Sequence, residues 1–168
     1  MANGYDIACD QGIQAILGDR EIQSVGDLVL EQEKISRPCL VSVSYVTDEH
    51  IRELNAHWRN QDRSTDVISL ECERPNDPDL ADDEVCELGD IVLAPDYIGH
   101  QADSVGWSIK DECRLLLIHG LLHLLGYDHI QDDEAERMEA REDELLALVA
   151  PEENHACVRL TRHRGEQA

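Results

Sequence analysis

Three histidines carry the strongest chemical signal in this chain, in the run His119-Gly120-Leu121-Leu122-His123-Leu124-Leu125-Gly126-Tyr127-Asp128-His129. His119 and His123 stand four apart, so on a helix of 3.6 residues per turn their side chains project the same way. Gly126 can take a left-handed conformation, end the helix and swing the chain back. That return brings His129 to a third side. Three neutral imidazoles with a fourth position open suit one catalytic zinc ion rather than a closed structural one. Nickel or another divalent metal that accepts imidazole fits the same donors.

The spacing matches the long zinc-protease pattern H-E-x-x-H-x-x-G-x-x-H at every position but one. Where a protease carries the glutamate that activates water, this chain has Gly120. The cage is kept and the base is gone. Packed or capped histidines are the plainer alternative. It fits poorly with three imidazoles in and just after the apolar run 115–125, where an unpartnered polar ring is costly to bury.

The cage needs a rigid carrier. Ser108 and Asp111 make a start like a capping box, with Asp in place of Glu or Gln, for one long helix bearing His119 and His123. Two ligands on one helix give such a site its precision. Upstream, residues 5–9 read as a short strand. Ile13, Ile16, Leu17, Val25, Leu28, Val29 and Leu30 mark helical segments whose continuity Gly18 and Gly26 weaken. Residues 40–46 alternate with the period of a half-buried strand, and Thr47 caps a helix through Ile51, Leu54 and Trp58.

Residues 66–70 read as a strand, 74–87 as a loop rich in proline and acid, and 89–94 as a further strand. Pro95 opens the next helix. A last helix spans 133–149, with Ala135, Met138, Leu145, Leu146 and Val149 facing inward and Pro151 stopping it. This order predicts an α+β fold: a small mixed sheet with packed helices and a central metal-binding helix. Residues 1–153 read as a single metal-dependent hydrolase domain. Residues 154–168 read as a mobile tail, with His155 and His163 solvated.

Composition narrows the function classes. The chain has 168 residues, 37 acidic against 14 basic, for a formal charge of −23. No apolar run is long enough to cross a membrane. The first residues have neither the basic start nor the apolar stretch of a signal peptide, so a cytoplasmic location is expected. The six cysteines include no C-x-x-C pair and are read as structural or incidental thiols of a reducing compartment.

So acidic a protein does not coat RNA non-specifically. The acid is concentrated in 71–96 and 132–153, whereas Arg52, Arg59 and Arg63 cluster elsewhere and Arg159, Arg162 and Arg164 lie in the tail. Any nucleic-acid contact must therefore use local arginines in a narrow cleft, or the guidance of a protein partner.

The histidine motif continues as Ile130-Gln131-Asp132-Asp133-Glu134-Ala135-Glu136 and closely resembles the bacterial endoribonuclease YbeY family of rRNA maturation factors. Leu54-Asn55-Ala56-His57-Trp58-Arg59 with Thr65-Asp66-Val67-Ile68-Ser69 is similar to that family's L-N-x-x-(aromatic)-R…T-D-V-L-S-F segment. Leu88-Gly89-Asp90-Ile91-Val92 is similar to its L-G-D-I strand. The similarity runs from about residue 40 to residue 148. Two departures stand out. Arg59-Asn60-Gln61-Asp62 replaces the family's usual Arg-Gly-Lys-Asp, and Ser69-Leu70-Glu71 replaces its common Ser-Phe-Pro.

The resemblance implies a single-strand-specific, zinc-dependent endoribonuclease. It would act in maturation of the 3′ end of small-subunit (16S) rRNA and in ribosome quality control. Its partners would be single-stranded rRNA, the small ribosomal subunit and a ribosome-associated protein, with no membrane. The implied fold is α+β with a metalloprotease-like core. His119, His123 and His129 would hold the metal, and Arg59 would face it and grip the scissile phosphate; without the resemblance, Arg59 reads as a solvated helix-end residue.

Asp128 either orients an imidazole and assists proton transfer or is a turn residue. Asp66 and Asp90 are expected to fix loops or strand ends. The strand 89–94 reads as a core strand or as the flank of an open groove. Trp58 and Trp107 either stack on bases or fill the core. Two rival functions remain: a zinc peptidase whose base reaches in from elsewhere, and a non-catalytic ribosome assembly factor stapled by its metal.

Overall fold

A computed structural model of the chain describes residues 2–128 and 130–150. His129, Pro151, His155, His163 and the whole 154–168 tail lie outside the described residues.

Alternation in β2 (Cys39–Tyr45) sets the layering. Cys39, Val41, Val43 and Tyr45 are buried, and the residues between them are more open, the period-two pattern of a strand with one face on a core. Parallel neighbours flank it, β1 (Gly4–Cys9) on one side and β4 (Cys86–Leu93) on the other. β3 (Val67–Glu71) pairs antiparallel with β4, giving the sheet order β1-β2-β4-β3. The fold is α+β, with four strands in a mixed sheet and five helices among the described residues.

The sheet decides between two expectations. The strand at 89–94 is an interior core strand, of which Asp90 reaches a cleft, and β3 is the edge. β4 also starts three residues earlier than expected, because it passes through a bulge. Its register against β2 shifts between Leu40 and Val41, opposite Gly89. Gly89 has φ +143°, and a side chain there would collide with the Leu70 backbone oxygen. Only glycine carries the strand through this point.

The helices follow their caps. Gly18 is the N-cap of α1 (Asp19–Gln32), and residues 13–17 precede it instead of forming a helix. Leu17 is buried there because the Tyr45 hydroxyl bonds both its N–H and its carbonyl, each at 3.2 Å. In α2 (Asp48–Arg59), the Thr47 side chain accepts from the His50 N–H at 3.0 Å, as expected. Pro95 opens α3 (Pro95–Val105) at its first turn.

Ser108 caps α4 (Ile109–Leu124) by accepting from the Asp111 N–H at 3.4 Å. Asp111 pairs with Arg114 at 2.6 Å rather than completing the box. α5 (Asp132–Val149) follows. Its inner face carries Met138, Leu145 and Leu146 as expected, whereas Ala135 and Val149 are only half-buried.

α4 is apolar nearly all round and sits at the centre, touching α1, α3, α5, β3 and β4. The main core joins one face of the sheet to α1, α4 and α5. A smaller cluster of Val46, Ile51, Ile68, Val92 and Ala94, with Leu54 and Tyr97, occupies the opposite face beneath α2. Successive residues of β3 enter different clusters, Val67 the first and Ile68 the second. β3 is therefore gripped from both sides although it is an edge strand. No helix among the described residues is long and apolar enough to cross a membrane.

Candidate active site

Between the end of α2, the edge strand β3 and the C-terminal half of α4 lies a cleft of about 670 Å³. His119 and His123 form one wall. Their rings meet edge to face, with centroids 4.9 Å apart. Trp58 and Arg59 come to it from α2, Thr65 to Cys72 along β3, and Asp128 from the turn that follows α4. Four of the five site residues read from the sequence thus border one cavity. The fifth, His129, lies outside the described residues.

Gly126 makes the turn. It has φ +109°, and its N–H donates to the His123 carbonyl at 3.0 Å. A side chain on it would press on the Arg74 guanidinium, 2.9 Å from Nη1. The positive φ, rather than the Arg74 side chain, is what calls for glycine here. Asp128 follows two residues later, half-buried at the border.

Gly120, in place of the protease glutamate, has a steric reason. A Cβ there would lie 3.1 Å from both Ile91 Cγ2 and Ser69 Oγ. α4 rests on the sheet at this point, and a side chain there would need the Ile91 and Ser69 side chains to give by a few tenths of an ångström.

His119 is built into the core. It is 7% exposed, and its Nδ1 lies 2.6 Å from Oε2 of Glu142, which is fully buried on α5. The sequence reading missed Glu142. The signal was present: Glu142 falls on the stripe of Met138, Leu145 and Leu146, where a carboxylate is out of place unless it has a partner.

Arg59 is the opposite case. It ends α2, exposed, and no hydrogen bond or ion pair to another described residue holds it. Its neighbours are committed. Arg52 pairs with Asp62 at 2.9 Å, and Arg63 donates to Gln61. Of the expected arginine cluster, Arg59 alone borders the cleft. Asn60 takes the left-handed cap at φ 57°, an excursion that asparagine tolerates in place of glycine.

The cleft is not uniformly acidic in effect. Asp66 accepts from the Val67 N–H at 2.7 Å and from Gln101 at 3.0 Å, the strand-end role expected of it. Glu71 pairs with Arg74 at 3.0 Å. Desolvation and the nearby carboxylates of Glu87, Glu73 and Asp90 push the Cys72 thiol above its ordinary value, so it stays protonated at neutral pH.

The two tryptophans separate. Trp58 is 57% exposed at the cleft mouth, its ring edge-on to His57. Trp107 packs against the main core, and its Nε1 donates to Glu112 at 2.7 Å. Trp107 is a core residue and no stacking platform.

The donor set fits a borderline divalent metal: two imidazoles one helical turn apart on a rigid helix, one backed by a carboxylate. Sequence and fold comparisons place the chain among known proteins. Residues 10–150 match the family described as Endoribonuclease YbeY. An Endoribonuclease YbeY from Macrococcus caseolyticus is 40% identical over 126 residues, covering 75% of this chain and 82% of the relative. One from Francisella philomiragia is 43% identical over 121 residues, covering 71% and 75%. The solution structure of TM1509 from Thermotoga maritima shares the fold, with a TM-score of 0.58 and 22% identity over 98% of this chain and 96% of that one.

Proposed function

The chain belongs to the Endoribonuclease YbeY family, and from that premise we propose that it is a metal-dependent, single-strand-specific endoribonuclease. Its substrate is the 3′ extension of small-subunit (16S) rRNA, cut in the cytoplasm during ribosome maturation and quality control. The observation that carries this reading is that His119, His123 and Arg59 converge on one cleft although 60 residues separate Arg59 from His119.

In this reading His119, His123 and His129 hold one zinc ion. When bound, zinc supplies Lewis acidity for activating water and polarising a phosphoryl oxygen. The rest of the work falls to the chain. Arg59 presents its paired N–H donors to the scissile phosphate and neutralises charge gathering there. Asp128, at the cleft border, handles the proton passed on during attack. Trp58 offers a base a stacking surface at the mouth. A single-stranded substrate suits the site, because an unpaired base can splay onto that ring while the phosphate reaches Arg59.

The acidic exterior repels bulk RNA, so contact is confined to this cleft and assisted by the small ribosomal subunit or a protein on it. A peptidase reading lacks its usual base, since Gly120 lies tight on Ile91 and Ser69.

The test is cleavage of a 3′-extended small-subunit rRNA fragment by zinc-loaded full-length protein, beside the same protein stripped by chelator and then reloaded. Cutting lost on stripping and restored on reloading is expected. If neither form cuts, even with small subunits added, the non-catalytic assembly factor takes its place.

A further inference from the structure

We infer that Glu142 is the positioning residue of the metal site, holding His119 in the one tautomer and ring orientation that offers Nε2 to the cleft. This rests on the metal-dependent reading above and adds to it a residue from a helix that does not border the cleft.

A fully buried carboxylate is expensive, and the same position filled by an apolar residue of similar volume would be neutral or stabilising. Glu142 nevertheless stands between Met138 and Leu145 on the inner face of α5. Its Oε2 meets His119 Nδ1 at 2.6 Å, a short, charge-assisted contact. A carboxylate accepts, so the ring nitrogen on that side must carry the proton. The lone pair then belongs to Nε2, on the opposite edge of a ring that borders the cleft. Turning the ring over would set a carbon against the carboxylate and lose the bond.

α5 is itself held in rotation by the next residue. Arg141 donates to Glu33 at 2.7 Å, to the Gln32 carbonyl at 3.0 Å and to Glu144 at 2.9 Å. The first two bonds tie α5 to the end of α1, and the third braces Arg141 along α5 itself. The chain of positioning runs from α1 through α5 to the imidazole.

The experiment uses the full-length chain and zinc itself, with affinity read by chelator competition and apo stability by thermal unfolding. E142Q keeps the volume, and E142M replaces the carboxylate with an apolar side chain. Zinc affinity is expected to fall about 10–100-fold in both, while the apo melting temperature stays level or rises in E142M. Nitrogen-15 NMR of apo wild-type protein should show His119 protonated at Nδ1. A wild-type His119 protonated at Nε2 overturns the inference, whatever the variants do. So do variants that bind zinc like wild type, or that lose apo stability in step with affinity. Wild-type protein that binds no zinc at all instead removes the metal-dependent reading beneath it, and the inference with it.

Discussion

The two walls of the cleft are built on opposite plans. The α4 wall is the determined one: His119 is nearly buried and bonded from behind by Glu142, with His123 half-buried beside it. The α2 wall is open: Trp58 and Arg59 sit at a helix end, exposed, with the arginine committed to no described neighbour. The difference matches two tasks. Metal ligands must be placed to a fraction of an ångström before anything binds, so their rotamers are fixed by packing. Under the proposed function, a residue that meets a flexible strand gains from reach, and Arg59 would keep its charge for the incoming phosphate.

The comparison can be broken most decisively at the determined wall. His123→Ala should abolish RNA cleavage and zinc binding yet leave a folded protein, because His123 is only half-buried; activity assays beside circular dichroism check this. A variant that instead unfolds would make the metal a staple and erase the contrast. Arg59→Ala comes next, with cleavage falling about 10²–10³-fold, the scale for a lost charge-stabilising donor. Its thermal stability and zinc affinity should stay at wild-type values.

Trp58→Ala sharpens the picture further. Stacking of about 1–3 kcal/mol per base predicts at least several-fold weaker binding of single-stranded RNA, measurable by fluorescence anisotropy, with little change in cleavage at saturating substrate. The smallest effect should come from Glu71→Gln. Removing this carboxylate at the cleft releases Arg74 from its pair and should tighten RNA binding a few-fold at low salt. The gain should fade as salt screens it. An open wall predicts such gains, whereas a determined wall would show losses only.

Much of the determined wall was legible in the sequence because its signals are local. His119 and His123 four apart, Ser108 at the cap and Gly126 after the helix are each read within one or two turns, and α4 follows them. The element order was equally readable, since Thr47, Pro95 and the alternation in β2 mark their own boundaries. Glu142 was legible only as a carboxylate out of place on the apolar stripe of α5; its partner lies 23 residues away on another helix, and nothing local names it. Arg59 was told from Arg52 and Arg63 only by the family motif that contains it. The bonds of Arg52 to Asp62 and of Arg63 to Gln61, brought round by the Asn60 turn, were not readable from the residue types. The core character of β4 was readable, whereas the strand order β1-β2-β4-β3 was not, because order is decided by pairing across the sheet.

The close seat of Gly120 on Ile91 and Ser69 bears on how such a site can evolve. A histidine motif of protease spacing differs here from the protease pattern at one position. A Cβ at that position would crowd Ile91 Cγ2 and Ser69 Oγ, each at 3.1 Å, so both neighbours would have to give by a few tenths of an ångström. Gaining the glutamate therefore asks for an adjustment in the packing of α4 on β3 and β4 beside any change of chemistry.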